Sequence, residues 1–235
     1  MAAPDLSAIV LGYRGGASLE PLVRRLHESL AASGHSFEIV LVANYHEGAD
    51  DETPAVAERL AQDLSVTRVV ARPKEGGMGW DLRSGLDAAA GEVLVVIDGD
   101  GQYATDDVVV AFERLRETGS AIAKGRRASR GDGLYRRIVT TGFNLAFALL
   151  FPRRGVWDVN GKPKAIARSA YERLRLTSDD WFLDAELILE AHRMGMKVCE
   201  FPVVYSEGAR ASFVKPGAIF EFARHMLRYR FTGRP

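Results

Sequence analysis

The sequence contains little that would suit an extracellular, disulfide-linked or membrane-spanning protein. Its one cysteine, Cys199, excludes an internal disulfide, and the apolar neighbours of that residue favour a structural thiol over a nucleophile. The first residues lack the basic region and the long apolar segment of a signal peptide. The longest apolar stretch, residues 143–152, is too short to cross a bilayer. We therefore expect a soluble, cytoplasmic protein.

The chain also lacks net charge, internal repeats and low-complexity segments, but its basic residues are unevenly spread. Lys and Arg together number 31 and so do Asp and Glu, yet residues 124–137 hold six basic residues against Asp132 alone. Residues 208–235 hold six against Glu221. Such stretches pair with phosphates or an anionic membrane surface, or else form a solvated, salt-bridged face. Because the net charge of the chain is zero, no nucleic-acid partner is expected.

The apolar residues, 47% of the chain, follow the pattern of strands that alternate with helices. The first half therefore predicts a mostly parallel central sheet flanked by helices, a Rossmann-like α/β fold. The predicted strands of this half are residues 6–11, 37–42, 66–71 and 93–97. The second half predicts helices around 134–151 and 182–194, a strand over 197–204 and a C-terminal helix from about Gly217.

The most informative segment runs from Val93 to Gln102, where an uncharged β-branched strand ends on Asp98, Gly99 and Asp100. Five apolar residues without polar alternation suit a strand buried on both faces, and ligands in such sheets bind beyond the carboxyl ends of the strands. Two carboxylates there, beside small glycines, form an oxygen-rich site for Mg²⁺ or Mn²⁺ carrying a diphosphate. The alternative is an ordinary acidic turn.

Several motifs occur in an order that resembles a known family. Besides Asp98-Gly99-Asp100-Gly101-Gln102, they are the glycine-rich turn Glu75–Gly79, the segments Arg136-Arg137-Ile138, Gly142-Phe143-Asn144, Asp158–Lys162 and Trp181–Leu187, and Gly195 followed by Glu200-Phe201-Pro202-Val203. In this order, residues 6–215 resemble family 2 glycosyltransferases of the GT-A fold, and most closely the polyprenol-phosphate or dolichol-phosphate mannosyltransferase branch. The resemblance implies one glycosyltransferase domain over residues 1–235. Its parts are a nucleotide-sugar-binding half (1–104), an acceptor and catalytic half (105–216) and a C-terminal helix (217–235).

The resemblance also implies binding roles for particular residues. The metal candidates are Asp98, Asp100 and Gln102. The nucleotide-sugar candidates are Gly12, Tyr13, Gly15, Asn44, Gly77, Gly79, Arg83, Asp98 and Gly99. Two departures from the family's pattern leave the base unassigned, since Gly12–Gly16 replaces the usual Asn-Glu pair and Asn44 stands where the family has aspartates. Met78 stands where lysine is common, and Arg83 one helical turn later could supply that phosphate contact.

The acceptor decides which further groups the reaction needs. A hydroxyl acceptor must lose a proton, for which Asp184 is the candidate general base and Glu186 the alternate. Residues two apart on a helix point in different directions, so we expect one of the two to face the site, unless both are simply acids placed at a helix start. A polyprenyl phosphate is already ionised and needs cations instead. The acceptor-phosphate candidates are Lys124, Arg126, Arg127, Arg136, Arg137, Arg210, Ser212 and Lys215.

The resemblance thus implies a metal-dependent, inverting glycosyltransferase that moves a sugar from a GDP- or UDP-linked donor to a polyprenyl phosphate, with Mg²⁺ or Mn²⁺ as cofactor. Residues 219–230 could form an interfacial amphipathic helix at the inner face of the membrane, or could pack on the domain itself. Two alternatives stay open. One is a glycosyltransferase that acts on a hydroxyl of a saccharide or small molecule, and the other is a non-catalytic nucleotide-binding protein with the same fold.

Overall fold

The computed structural model describes residues 2–130, 141, 142, 145, 147–151, 156–206 and 216–232. The strands are β1 (Leu6–Leu11), β2 (Phe37–Val42), β3 (Thr67–Val70), β4 (Val93–Asp98), β5 (Ile122–Arg130), β6 (Lys164–Ala167) and β7 (Val198–Tyr205). The helices are α1 (Leu19–Ala32), α2 (Thr53–Asp63), α3 (Met78–Ala88), α4 (Asp106–Thr118), α5 (Arg168–Tyr171), α6 (Leu183–Arg193) and α7 (Pro216–Thr232). Much of the predicted helix around 134–151 lies outside the described residues, as do the predicted acceptor contacts Arg136, Arg137, Arg210, Ser212 and Lys215.

The seven strands form one sheet in the order β3-β2-β1-β4-β6-β5-β7. Strands β1 to β4 are mutually parallel and β5 is parallel to β7, whereas β6 is antiparallel to both β4 and β5. The predicted mostly parallel α/β sheet flanked by helices is therefore confirmed. Because β6 runs in the opposite direction, its first residue, Lys164, lies opposite Val96 near the end of β4. The residues just before β6 are thereby brought to the edge where β4 ends in Asp98.

Hydrophobic residues cover both faces of the sheet, as expected for buried parallel strands. Val95 and Ile97 of β4 belong to the core on the side of α1, α2 and α4. Leu94 and Val96 belong to the core on the side of α3, α6 and α7. Successive strand residues point to opposite faces, so Asp98 continues the second series. The end of β4 thus presents a carboxylate on the side where α3 and α6 pack.

Strands β5 and β6 and the short helix α5 are elements that the sequence pattern did not predict. β5 carries Lys124, Arg126 and Arg127, which read as a basic cluster, and β6 is only four residues long. Basic residues interrupt the apolar pattern by which strands are recognised. The predicted positions of α6, β7 and α7 are confirmed to within two residues. No helix within the described ranges combines the length and apolarity that a bilayer crossing requires.

Candidate functional site

A pair of carboxylates lies at the end of β4, where the sequence predicts the metal site. The side chain of Asp98, the last residue of the strand, is 32% exposed. Gly99 makes the turn: its N–H donates to the Leu11 carbonyl at 3.0 Å, and a Cβ there would lie 2.8 Å from that oxygen. Asp100 follows, and its Oδ1 accepts the Gln102 N–H at 3.0 Å. Desolvation and the neighbouring charge of Asp98 raise the pKa of Asp100.

These two carboxylates fit a divalent cation. Their mutual repulsion, which helps to raise the pKa of Asp100, is what a cation between them would relieve. Within the described part of the chain, no cluster of three His, Cys, Asp or Glu side chains occurs. Mg²⁺ is commonly bound through one or two carboxylates and completed by water and substrate phosphates. Asp98 and Asp100 therefore suit a cation that binds together with a diphosphate.

A buried lysine that was not recognised in the sequence neutralises Asp98. Lys162 Nζ lies 2.6 Å from Asp98 Oδ1 and 3.8 Å from Asp184 Oδ2. Asp184 in turn forms an ion pair with Lys164. The side chains of Lys162, Lys164 and Asp184 are all buried. Alternating charges therefore run from the partly exposed Asp98 through Lys162 and Asp184 to Lys164; we call these four residues the charge chain.

Burial and ion pairing act against each other in the charge chain. Burial would raise the pKa of Asp184, but Lys164 and Lys162 outweigh it and hold that pKa below its ordinary value. Burial would lower the pKa of Lys162, but Asp98 and Asp184 raise it above the ordinary range. For Lys164 burial wins against Asp184 and lowers the pKa to about 8. The paired groups are therefore charged at neutral pH, and Asp184 is a weak base.

The two predicted bases differ in what they contact. Asp184 lies within reach of Lys162, the partner of Asp98. Glu186 accepts hydrogen bonds from the Thr177 N–H at 3.0 Å, the Thr177 hydroxyl at 2.9 Å and the Ser178 N–H at 2.9 Å. Glu186 thus fixes the loop before α6. Of the two predicted bases, Asp184 is the one near the lysine beside Asp98, and the assignment of the base stays a prediction.

Gln102, the third predicted metal ligand, has protein partners at both ends of its amide. Its Oε1 accepts the Tyr205 hydroxyl at 2.7 Å, and its Nε2 donates to the Ser206 carbonyl at 3.2 Å. These contacts tie the turn after β4 to the end of β7. In this structure Gln102 therefore positions that turn, and its role as a metal ligand stays a prediction.

Two of the predicted acceptor contacts serve the fold. Lys124 is buried, with its Nζ 3.1 Å from Glu200 Oε1 and in contact with the Asp158 carbonyl. Arg127 forms a bidentate pair with Asp158, with Nε–Oδ2 and Nη2–Oδ1 distances of 2.7 and 2.6 Å. Both cations are already neutralised inside the protein, and their contact with the acceptor phosphate stays a prediction. Arg126 is exposed and stays a predicted acceptor contact.

The Arg127–Asp158 pair should make the stability of the protein sensitive to acid. Burial would raise the pKa of Asp158, but Arg127 outweighs it and holds that pKa well below its ordinary value. The pair therefore contributes fully above about pH 4, near the pKa of an unfolded aspartate, and its contribution is lost as the pH falls toward the lower folded-state pKa. We expect Asp158→Asn to lower the free energy of unfolding by about 2–3 kcal/mol at pH 7, because Arg127 stays buried without a counter-charge.

Urea unfolding of both proteins between about pH 7 and pH 3 measures this effect, and the deficit of Asp158→Asn should narrow below about pH 4. Asp63→Asn, which breaks an exposed pair with Arg24, is the matched control and should change stability by about 0.5 kcal/mol or less. A deficit that persists unchanged in acid would contradict the assignment of this stability to the ionised pair.

The loop after β1 and the start of α3 form the edge where nucleotide contacts are predicted. Lys74 Nζ lies 4.3 Å from the centroid of the Tyr13 ring, and His46 contacts the same ring edge-on. Lys74 also pairs with Asp81 of α3. Arg14 has a φ of 50°, a left-handed conformation that is uncommon for a residue with a side chain and that occurs often at functional sites. Tyr13 supplies this edge with an aromatic ring of the kind that stacks on a base.

Asn44, a predicted nucleotide contact, is held by hydrogen bonds inside the protein. Its side chain is buried, and its Nδ2 donates to Asp81 Oδ1 at 2.9 Å and to Ser84 Oγ at 3.0 Å. Its Oδ1 accepts the Arg72 N–H at 3.1 Å. Both amide donors are used, so Asn44 supports Asp81, the partner of Lys74, and its contact with the nucleotide stays a prediction.

Gly12 and Gly15 shape the loop after β1. The Gly12 N–H donates to the Val42 carbonyl at 2.8 Å, and the Gly15 N–H donates to the Gly12 carbonyl at 2.7 Å. A Cβ on Gly15 would lie 2.8 Å from the Gly12 carbonyl oxygen. Their contact with the nucleotide stays a prediction, and the structure adds a reason within the fold for both glycines.

The glycine-rich turn before α3 packs against the loop before α6. A Cβ on Gly79 would lie 2.5 Å from the Asp180 carbonyl oxygen, and one on Gly77 would lie 2.9 Å from the Asp179 carbonyl oxygen. Arg83 pairs with the Asp179 carboxylate. Two glycines and Arg83, all predicted nucleotide-sugar contacts, are thus used here to join two loops. Their contact with the nucleotide sugar stays a prediction, and the structure adds a reason within the fold for both glycines.

Known proteins resemble this chain in sequence. The family model described as Glycosyl transferase family 2 matches residues 7–175. Glycosyltransferase AglD of Haloferax volcanii is 32% identical over 211 residues, which cover 85% of this chain and 32% of that protein. The dolichol-phosphate mannosyltransferase of Pyrococcus furiosus is 28% identical over 233 residues, which cover 95% of this chain and 63% of that protein. The chain thus spans less than two thirds of the length of each of these relatives.

Solved structures resemble it in fold. Glucosyl-3-phosphoglycerate synthase of Mycobacterium tuberculosis, in complex with Mn²⁺, uridine diphosphate and phosphoglyceric acid, matches with a TM-score of 0.76 at 20% sequence identity. The match covers 99% of this chain and 80% of that one. At this identity the likeness concerns the fold, and it confirms the predicted GT-A architecture.

Proposed function

Because the chain belongs to glycosyl transferase family 2, we propose that it transfers a sugar from a UDP- or GDP-linked donor to a polyprenyl phosphate, with Mg²⁺ or Mn²⁺ as cofactor. The observation that carries the proposal is the Asp98–Asp100 pair at the carboxyl end of β4, joined through Lys162 to Asp184. The name of the dolichol-phosphate mannosyltransferase that resembles the chain supports the acceptor class.

Negative charge develops on the diphosphate as its bond to the sugar breaks. A divalent cation held by Asp98 and Asp100 supplies Lewis-acid stabilisation of that charge when it is bound. Lys162 and Lys164 add positive charge beside the carboxylates, in a buried setting where electrostatic interactions are stronger than in water. Asp184 keeps both ammonium groups in place. The protein's own residues therefore favour departure of the diphosphate.

The state of Asp184 favours an acceptor that is already ionised. A hydroxyl acceptor needs a base, yet Asp184 is buried, has a lowered pKa, forms an ion pair with Lys164 and lies 3.8 Å from Lys162. Glu186 is occupied by the backbone of Thr177 and Ser178. A phosphate oxygen requires no deprotonation before attack, so the site suits a polyprenyl phosphate better than a saccharide hydroxyl.

The same contacts support inversion at the sugar carbon. Retention through a covalent intermediate requires a free nucleophile, and both carboxylates of α6 nearest the site are engaged. In the proposed reaction the acceptor phosphate oxygen attacks the anomeric carbon from the side opposite the leaving diphosphate. A bond forms between that oxygen and the anomeric carbon while the bond to the diphosphate breaks, and the nucleoside diphosphate leaves.

The exposed side of α7 suits an acceptor held in a membrane. Phe231 is 82% exposed and Leu227 is 49% exposed, whereas Met226 and Tyr229 are buried against the domain. Arg228 is exposed near the apolar pair. Apolar residues flanked by arginines are typical of interfacial helices. We therefore propose that α7 packs on the domain with one side and contacts the membrane surface with the other.

Calorimetric titration with GDP and with UDP, each with and without Mn²⁺, tests the donor site. We expect one nucleotide to bind in a Mn²⁺-dependent manner. Asp100→Asn should weaken this binding by about tenfold or more, because it removes one of the two charges that hold the cation. Asp63→Asn, at an exposed position, should bind like the wild type. Failure of the folded wild type to bind either nucleotide would count against the proposed donor site.

Transfer of labelled sugar to a polyprenyl phosphate or to the matching polyprenol tests the acceptor. We expect product only with the phosphate, because Asp184 and Glu186 are both engaged inside the protein and are poorly placed to deprotonate the alcohol. Equal transfer to the polyprenol would favour the hydroxyl-acceptor alternative.

A further inference from the structure

We propose that Lys162 is an internal counter-ion that occupies Asp98 until a divalent cation binds there, and that it then pairs with Asp184. The inference rests on the metal site of the proposed function and deepens it. Lys162 is in this view a positioning residue that sets the cation affinity of the site. Its role extends beyond stabilising the fold.

The position of Lys162 makes a change of partner short. Its Nζ already lies between two carboxylates, 2.6 Å from Asp98 Oδ1 and 3.8 Å from Asp184 Oδ2. A shift of about 1 Å brings the second distance into the range of a charge-assisted hydrogen bond. The backbone is held meanwhile, because the Lys162 N–H donates to the Tyr103 hydroxyl at 3.3 Å. The exchange therefore needs a movement of the side chain alone.

The backbone next to Lys162 is also fixed by close packing. A Cβ on Gly161 would lie 2.1 Å from the Gly125 carbonyl oxygen, and one on Gly125 would lie 2.2 Å from the Lys162 carbonyl oxygen. Two chain segments thus meet without room for side chains. This contact holds the origin of the Lys162 side chain in place while its ammonium changes partner.

The two carboxylates differ in exposure, and this difference gives the exchange its direction. The side chain of Asp98 is 32% exposed, whereas that of Asp184 is 4% exposed. A dissolved cation can reach Asp98 but is shielded from Asp184. Lys164 already neutralises Asp184, so Asp184 stays paired whether Lys162 is near or distant. Asp98 is therefore the carboxylate that changes partner.

The charges balance in a way that fits this role. Without a cation, three carboxylates (Asp98, Asp100 and Asp184) face two ammonium groups (Lys162 and Lys164), which leaves an excess of one negative charge. When the Lys162 ammonium leaves Asp98, the two carboxylates at the end of β4, Asp98 and Asp100, become available to the cation together. Until a ligand binds, the ammonium thus compensates part of the negative charge of the two neighbouring carboxylates.

Binding of Mn²⁺ to the nucleotide-free protein, followed by the electron paramagnetic resonance signal of the free ion, tests the inference. Lys162→Met keeps the length of the side chain and frees Asp98, so we expect Mn²⁺ affinity to rise by about tenfold or more. Lys162→Arg keeps the charge and should stay within about threefold of the wild type. Lys124→Met is the matched control, because it removes a buried lysine that pairs with Glu200 and should leave Mn²⁺ affinity unchanged.

A second variant tests the other partner of Lys162. Asp184→Asn removes the carboxylate to which the ammonium moves, so it should weaken Mn²⁺ binding by about tenfold. If Lys162→Met does not fold, Asp184→Asn still tests the inference, because an unchanged Mn²⁺ affinity in this variant would overturn it. Thermal unfolding gives an independent readout, because Mn²⁺ should raise the Tm of Lys162→Met more than that of the wild type.

A lysine with a purely structural role gives a different pattern. Lys162→Met would then lower the Tm equally with and without Mn²⁺ and leave the Kd for Mn²⁺ unchanged, which overturns the inference but leaves the proposed function intact. If the wild type and Lys162→Met both leave Mn²⁺ free without a nucleotide and also with GDP or UDP present, the metal site itself is overturned, and the proposed function falls with it.

Discussion

Asp98→Asn is expected to lower kcat for sugar transfer by about 10²–10³-fold, the loss typical when one group that stabilises a developing negative charge is removed. Asparagine keeps the shape of the side chain but loses the charge that holds the cation beside the leaving diphosphate. Lys162 keeps Asp184 as a partner at 3.8 Å, so the fold should survive. Initial rates at saturating donor and acceptor, on samples with native circular dichroism, measure the effect.

The control for this rate is Asp63→Asn, which removes an exposed carboxylate on α2 and should leave kcat unchanged. Raising Mn²⁺ should restore only part of the rate of Asp98→Asn, because Asp100 alone remains to hold the ion. A wild-type kcat in the variant would show that the reaction does not depend on this carboxylate.

Asp184→Ala is expected to lower the free energy of unfolding by about 3–5 kcal/mol at neutral pH, because it removes one partner of a buried ion pair and leaves Lys164 uncompensated. Without Asp184, burial and the charges of Lys124 and Lys162 all lower the pKa of Lys164, which therefore falls below the wild-type value of about 8. The unfolded state then binds the proton more tightly than the folded state, and the stability of the variant rises with pH. Urea unfolding between about pH 6 and pH 8 should show the deficit shrinking as the pH rises.

The double variant Asp184→Ala with Lys164→Met separates charge from packing. Replacing both members of a buried pair by apolar groups is often neutral or stabilising, so the double variant should recover part of the lost stability. If it is no more stable than Asp184→Ala alone, the deficit reflects a cavity and the charge argument is refuted. Transfer activity should be low in both variants. Without Asp184, Lys162 has Asp98 as its one carboxylate partner among the described residues, and it should keep that carboxylate from the cation.

The end of β4 could be predicted from the sequence because its signal is local. A run of apolar residues from Val93 to Ile97 specifies a strand buried on both faces, and Asp98 must then lie where ligands bind in such sheets. The alternation of strands and helices around it specifies the parallel part of the sheet for the same reason. Family membership then rests on how these local signals follow one another along the chain.

The charge chain could not be predicted because its signal is not local. Lys162 and Lys164 look like ordinary solvated lysines when read along the chain, and burial of a lysine is rare without a partner. Their partners, Asp98 and Asp184, are brought to them only by the antiparallel placement of β6 and the packing of α6. The sequence shows this arrangement only as two lysines, two residues apart, at the start of a short apolar strand.

Glycines carry a different ambiguity. The sequence shows that Gly77 and Gly79 leave room for something to approach the backbone, and it does not say what approaches. In the structure the backbone of residues 179–180 of the same chain approaches these glycines. A phosphate cradle and a tight contact between loops require the same residue type, so only the three-dimensional arrangement separates them.

The antiparallel direction of β6 also determines which contacts a shortened chain would lose. Lys162 and Asp98 are 64 residues apart, so the ion pair exists only after a long loop has closed. A fragment that stops at residue 104 would keep Asp98 and Asp100 and lose the lysine, and it would leave β4 as a bare edge strand open to pairing with other chains. The first half of the sequence therefore depends on the second half to cover the edge of β4 and to supply the counter-ion of Asp98.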